Sequence, residues 1–236
     1  MLKETFYLDG VDAETIGLKL QRPLYFSDPV PIVEKESVAG RNGNILYDTG
    51  SYENRTAKAS CFSLNHDVRN SLRAINKFLL SSHGYRRLET SDDPDHFWMA
   101  RVSNGAIIEQ RVRILAPFEI EFDCKPQMFV NVGEEKVEFT SKGILFNNYF
   151  YDAKPLVIVY GSGSGELTIG ERTIKIISLD GPLYIDSETQ NAYNRNGNQN
   201  KNIDVYPFPV LRDGENEIKF IGGIDKVEII PRWWEL

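Results

Sequence analysis

The chain has 236 residues, 41% of them apolar and 26% charged. That is enough apolar material for one or two folded domains, and it excludes wholesale disorder. The net charge is −7, from 27 basic and 34 acidic residues that are interspersed, so a protein that grips nucleic acid through a basic face is not expected.

The N-terminal stretch MLKETFYLDG carries acids and lacks the apolar core of a secretion signal. The longest apolar runs, such as residues 156–160, fall far short of the ~20 residues of a membrane helix. A soluble chain made in the cytoplasm, without membrane contact, is expected. Period-two alternation at residues 18–20, 119–122, 172–177, 216–220 and 226–230 reads as strand. Asp9-Gly10, Asn42-Gly43, Asp180-Gly181, Asn196-Gly197 and Asp213-Gly214 read as turns, because Gly and Asn reach positive φ at little steric cost.

Asp48-Thr49-Gly50 follows the apolar Ile45, Leu46 and Tyr47, as the catalytic turn of an aspartic protease does. Such proteases need two aspartates that share one proton. The chain has no second copy, and Tyr52-Glu53-Asn54-Arg55 is bulky and charged where paired turns need small residues. The segment reads as a surface turn between strands.

In residues 65–83 the apolar Val68, Leu72, Ile75 and Leu79 recur at steps of four, three and four, which places them on one helical face. Asn65 or Asp67 suits the N-cap and Gly84 the C′ position. Beyond the helix, Asp92, Asp93 and Asp95 in SDDPDHFW offer carboxylate oxygens of the kind calcium takes, but the loop lacks the glycine and glutamate of an EF-hand and reads as a solvated turn. His66, His83 and His96 have no metal-binding spacing. Cys61 and Cys124 are too few for a disulfide framework in a chain of this size and read as reduced and buried. No catalytic residues, metal or cofactor are expected.

Residues 127–146 read as a boundary, because the alternating EIEFDCKP ends at Pro126 and residues 133–136 are apolar-poor. An N-terminal domain over 1–130 and a C-terminal antiparallel β-sandwich over 137–236 follow. In the second half Gly161-Ser162-Gly163-Ser164-Gly165 suggests a phosphate loop, but strand-like ELTIGERTIKII follows it and no helix N-terminus is there to hold phosphate. It reads as a flexible hairpin loop. NAYNRNGNQNKN, residues 191–202, reads as an exposed loop with no apolar face. In the terminal PRWWEL, alternation from Val227 and Ile229 through Pro231 points Trp233 inward and Trp234 outward.

Several of these segments, in order, resemble the siphophage distal tail proteins, the Dit family: FYLDG and IGLKLQRP, then VAGRNGNILYDTGSYENR, the single helix, GYRRLETSDDPDHFWMARV, and FEIEFDCKPQMF; then KPLVIVYGSGSGELTIG, YIDSETQNAY, FPVLRDGENEIKF and PRWWEL. The resemblance spans essentially the full length. It implies a mainly β protein, with an α+β N-terminal domain that holds one helix and an extended arm, and a galectin-like C-terminal sandwich. It implies a structural virion protein without enzymatic activity, located at the distal tail tip and assembled in the host cytoplasm. Its implied partners are five further copies in a hexameric ring, the tail tube protein, the baseplate hub or tail-associated protein, and receptor-binding proteins, with DNA passing the lumen unbound. The arm corresponds roughly to residues 40–55, which makes Arg41, Asn42, Asn44, Tyr47, Tyr52 and Arg55 the expected ring contacts; Trp234, read as facing outward, is the expected docking residue. A carbohydrate-binding sandwich, with Trp234 stacking on sugar, is the alternative reading.

Overall fold

The structure, a computed structural model, describes residues 4–63, 68–103 and 118–236. The chain forms two compact units, the first ending at Met128 and the second running from Phe129 to Glu235.

The first unit holds β1 (Phe6–Leu8), β2 (Val11–Asp12), β3 (Leu18–Leu20), β4 (Tyr25–Phe26), β5 (Pro31–Ser37), β6 (Asn44–Tyr52), β7 (Arg55–Ser63), α1 (Val68–Leu79), β8 (Arg86–Thr90), β9 (His96–Val102) and β10 (Phe118–Val130). Among the described residues β5 and β6 pair only with each other; the other strands form a sheet in the order β2-β1-β8-β9-β10-β7-β3, with β4 also on β7. Its register follows from side-chain size. β7 turns Ala57, Ala59, Cys61 and Ser63 inward, and β10 turns Phe118, Ile120, Phe122 and Cys124 inward. The pairing sets Phe118 opposite Cys61 and Phe122 opposite Ala57, so each ring fills the space left by a small neighbour. The outward residues Lys58, Glu119 and Glu121 form ion pairs across the same two strands.

The helix places Ile75 and Leu79 in this core, and Phe78 lies 6.3 Å from Phe6, which meets Phe122 edge-on at 5.7 Å. The C-terminal end of the helix, at Leu79, comes before the expected His83. Asn65, Asp67 and the side chains of Val68 and Leu72 lie outside the described residues. Gly84 is not the C′ residue, because the helix stops at Leu79. There the Arg86 guanidinium donates to the Phe78 carbonyl at 2.6 Å and answers an end carbonyl that a glycine cap would otherwise serve. Both cysteines are buried, which pushes each thiol up to about 12, so neither is a nucleophile near neutral pH.

The second unit holds β11 (Val137–Phe139), β12 (Gly143–Asn147), β13 (Leu156–Ile169), β14 (Arg172–Asp180), β15 (Leu183–Asp186), β16 (Asn191–Asn194), β17 (Gly197–Asn198), β18 (Ile203–Asp204), β19 (Gly214–Ile230) and β20 (Trp234–Glu235). Residues 216–220 and 226–230, expected as separate strands, belong to one long β19. β13 pairs with residues 218–230 of β19, and the two strands change their other partners midway. Their outer-numbered halves, 156–160 and 226–230, carry β15 and β11. Their other halves, 165–169 and 214–222, carry β14 and β12. One sheet thus makes both layers of an antiparallel sandwich. Val157, Val159, Leu167, Ile174, Val227 and Ile229 fill the space between them.

The change of layer occurs at the Gly161–Gly165 stretch, which is not a flexible hairpin loop. Register shifts fall at Tyr160/Gly161 and Gly161/Gly165, opposite Gly222 and Gly223. The two backbones lie so close that a Cβ on Gly222 would come within 2.7 Å of the Ser164 carbonyl oxygen, and one on Gly165 within 2.7 Å of that of Ile221. The glycines are there for backbone contact and bending, not for phosphate.

The Asn-rich stretch is also ordered into strand. Asn200 Oδ1 accepts from the Ala192 amide, Asn198 donates to Asn191, and Gln199 donates to Asn194. Ala192 is fully buried, and Tyr193 stacks on Tyr184 at 5.2 Å. Amide side chains supply bonds that apolar packing does not. The polar linker expected at 127–146 is likewise structured: β10 runs to Val130, Asn131–Glu134 is a 3-10 turn, and Val130 and Phe139 are in the core.

Candidate assembly surface

Two features of the first unit set up an arm. The chain leaves the main sheet after β4 and returns at β7, and between them β5 and β6 form a hairpin with Glu36 opposite Ile45, Lys35 opposite Leu46 and Glu34 opposite Tyr47. A hairpin of two strands has too little to bury for stability in water by itself. Here most of its side chains are exposed, including Val30, Ile32, Val38, Leu46 (60%) and Tyr47 (51%). That is an unusual set of apolar groups for an otherwise polar ribbon, and burial by another molecule would stabilise it.

The root of the hairpin is fixed. Ser27 and Thr56 exchange backbone and side-chain hydrogen bonds at 2.9 Å. Arg55 donates to the Ser27 carbonyl at 2.9 Å and lies over the Phe26 ring, which stacks on the buried Trp98 at 4.2 Å. Asn54 donates to the Tyr85 hydroxyl and to Asp123, which also receives Arg101. The ribbon is therefore held at one end and open along its length.

The expected contact residues divide between these two parts. Arg41 and Asn42 lie at the exposed tip, Asn44 opens β6 opposite Ser37, and Tyr47 is exposed midway. Tyr52 is half-buried near the root, and Arg55 is spent on the root itself. The hairpin runs from Pro31 to Tyr52 and so extends past 40–55 on the N-terminal side. Sequence reasoning missed β5 because its apolar residues Ile32 and Val33 are adjacent and not alternating.

Asp48-Thr49-Gly50 lies inside β6 and is not a turn between strands. Asp48 Oδ1 accepts from the Gly50 amide at 2.8 Å and Thr49 donates to the Ile32 carbonyl. Gly50 has φ of 69°, and the register shifts between Pro31 and Val33 across the ribbon, which marks a local irregularity in the strand pair. The carboxylate is bound to its own backbone. Asp93 accepts or shares a bond with His96 Nδ1 at 2.7 Å, and among the described residues no three His, Cys, Asp or Glu side chains converge as metal ligands. Among them too, no helix is long and apolar enough to cross a membrane.

In the second unit Trp233 is buried, as alternation predicts, but Trp234 does not face cleanly outward. β19 ends at Ile230, and Arg232 adopts φ of 58°, which breaks the period of two. Both indoles then pack against the same core: Trp233 beside Tyr149, and half-buried Trp234 stacked on Tyr151 at 4.5 Å with its Nε1 donating to the Asp152 carbonyl. An exposed sugar platform at Trp234 is not formed. Arg232 is held in this conformation by two bonds to Asp186. Burial raises the Asp186 carboxyl, but Arg232 and the amides of Glu188 and Thr189 more than offset that and hold it below the usual value.

On the outer face of the same unit, Glu228 is buried beneath Lys226, Lys136 and Tyr160. The hydrogen bond from Lys226, aided by Lys136 and Tyr160, brings its carboxyl down to about 2. The cluster joins one carboxylate to two ammonium groups and a phenol, and it reads as structural.

Residues 11–124 match the family described as the phage tail protein RIFT-related domain. Among solved structures the whole chain is similar to SPP1 Dit (gp 19.1), described as a paradigm of the hub adsorption apparatus in phages that infect Gram-positive bacteria. The TM-score is 0.72 at 15% identity, covering 96% of this chain and 97% of that one. No curated protein matches. The resemblance to siphophage distal tail proteins thus agrees with the family model over residues 11–124 and with the full-length fold.

Proposed function

We propose that this chain is the ring-forming protein of the distal tail tip, which joins the tail tube to the baseplate hub and the receptor-binding apparatus. The observation that carries this reading is the hairpin from Pro31 to Tyr52, an anchored ribbon with exposed apolar residues, in a chain whose full length follows the SPP1 Dit fold. A ring closes when a head-to-tail contact repeats with a fixed rotation. An arm reaching from one copy to the next is a contact of that kind. Arg41, Asn42, Asn44 and Tyr47 form the reaching surface, while Tyr52 and Arg55 set its angle. The remaining exposed part of Trp234 is offered to a baseplate partner. The chain's −7 charge suits a lumen through which DNA slides without adhering. Assembly takes place in the host cytoplasm and the product is carried at the virion's tail tip.

Light scattering with electron microscopy on purified protein tests this. Six copies in closed rings are expected. A monomer or dimer across the accessible concentration range, with no rings on the grid, overturns it.

A further inference from the structure

The arm is not one uniform ribbon. From Pro31 to Val33 β5 advances by two residues, while from Asp48 to Tyr52 β6 advances by four. β6 therefore carries two residues in excess, and Ile32 stands against Thr49, Gly50 and Ser51 together. Unequal counts of this kind bend a strand pair and increase its twist. Regular pairing holds on both sides of the break. Toward the tip it runs from Val33–Asp48 to Ser37–Asn44. Toward the root Pro31 pairs with Tyr52, and the Glu53 amide donates to the Val30 carbonyl at 2.8 Å. One break thus divides an inner half of the arm from an outer half.

Side-chain bonds and a backbone angle hold this break. Asp48 Oδ1 accepts from the Gly50 amide at 2.8 Å. The Thr49 hydroxyl donates across the ribbon to the Ile32 carbonyl at 2.8 Å and accepts from the Ser51 amide at 3.3 Å. These bonds serve backbone groups that an unequal strand pair leaves out of its ladder. Gly50 has φ of 69°, and a Cβ there would meet nothing within 4 Å. The position demands a left-handed backbone and makes no demand on space.

The expected contact residues divide at the same place. Arg41, Asn42, Asn44 and Tyr47 lie in the outer half, while Tyr52 and Arg55 lie in the inner half and root. The outer strands reach about 15–20 Å beyond the break at ~3.3 Å per residue, so a small change of direction there displaces the tip. A ring closes only when each contact repeats the same rotation.

From this we infer that Asp48, Thr49 and Gly50 are positioning residues: they form a fixed bend that aims the outer half of the arm and so determines where Arg41, Asn42, Asn44 and Tyr47 meet the neighbouring copy. The inference rests on the reading of the arm as a ring contact. It gives the Asp-Thr-Gly segment a geometric task in place of a proteolytic one. The competing account is an irregularity that an exposed ribbon merely tolerates, and its removal would then change nothing.

The test uses the full-length chain with spin labels on cysteines introduced by Arg41→Cys at the tip and Val11→Cys on the main sheet. Cys61 and Cys124 are fully buried, so the labels attach to the introduced thiols. Pulsed electron double resonance on the unassembled chain reads the distance from tip to sheet. Deleting Thr49 and Gly50 removes the excess and leaves Ile32 opposite Ser51 in a regular ladder; it should shift the mean distance by more than the width of the wild-type distribution. Gly50→Val should shift or broaden the distance, because a β-branched residue rarely adopts this angle, and Gly50→Asn should retain it, because asparagine does. Electron microscopy of the unlabelled proteins should show wild-type rings for Gly50→Asn. The deletion and Gly50→Val should lose those rings or close with a different copy number, with melting temperatures unchanged because both cores are untouched. An unshifted distance in the deletion variant, an effect of Gly50→Asn as large as that of Gly50→Val, or wild-type rings from the deletion variant overturns the inference. A wild-type chain that forms no rings fails the ring reading, and the label distances then decide by themselves whether the bend aims the arm.

Discussion

Gly161 and Gly223 face each other across β13 and β19 with no room for a side chain on either: a Cβ on Gly161 would overlap the Gly223 carbonyl oxygen, and one on Gly223 that of Ser162. At this contact a single sheet turns from one layer of the sandwich to the other. The requirement falls on backbone atoms, which cannot rotate aside as a side chain does.

Gly223→Ala should therefore destabilise the second unit by about 3 kcal/mol or more, because the strand pair must separate to admit one methyl group. Gly181→Ala is the comparison: Gly181 has φ of 77° but open space around it, so only the left-handed backbone is penalised, by about 1–2 kcal/mol. Chemical denaturation of the two variants measures the difference. Equal losses would show that conformation and not crowding decides at both.

Glu228 gives the protein an acid-sensitive contribution. Its carboxyl takes up a proton near 4.5 when unfolded and near 2 when folded. Between these values the unfolded chain binds more protons, so stability falls as pH drops through that window. Above about 4.5 the contribution is fully present. Glu228→Gln should flatten the dependence of unfolding free energy on pH between 4.5 and 2, and urea titrations across that range read it. A variant with the wild-type slope would remove Glu228 from the account.

Trp233→Ala empties a buried site in the core and should cost about 3–5 kcal/mol. Trp234→Ala leaves the core filled but removes the stack on Tyr151 and the bond to Asp152. Its cost should be smaller, near 1–2 kcal/mol. Melting curves rank the two, and an unchanged melting temperature for Trp234→Ala would place that indole free in solution.

In the unassembled chain, limited trypsin digestion should cut after Arg41, at the exposed tip of the arm between Gly40 and Gly43, before any site in residues 130–142. The latter stretch is strand and 3-10 turn with Val130 and Phe139 in the core. Mass spectrometry of the early fragments decides it; an initial cut after Lys136 or Lys142 would mean that this segment opens first.

Tyr47→Asp puts a charge at an exposed position midway along the arm and leaves both cores untouched. Rings should fall to smaller species while circular dichroism and melting temperature stay as in the wild type. Intact rings would move the contact away from Tyr47.

The amino-acid pattern was sufficient for several features that depend on neighbours in the chain, though not for β5, the end of the helix or the Asp48-Thr49-Gly50 segment. Alternation marked β3 and the paired faces of β10 and β14, and the Asp-Gly and Asn-Gly turns have positive φ at Gly10, Gly43, Gly181, Gly197 and Gly214. The step of Ile75 to Leu79 marked the buried face of the helix. Short alternating segments and the turns between them pointed to the mainly β class, and the ordered set of segments pointed to the distal tail proteins. Features that depend on distant partners were decided in three dimensions. Gly161–Gly165 looks like a loop until Gly222 and Gly223, some sixty residues later, are laid against it. Residues 191–202 look unstructured until their amides are seen to bond one another and Tyr193 to stack on Tyr184. The facing of Trp234 was set by one backbone angle at Arg232, which its bonds to Asp186 across the fold maintain. Local periodicity reports which side chains share a face, but register, bends and free edges arise from pairing between segments far apart in sequence, and no period within one segment encodes them.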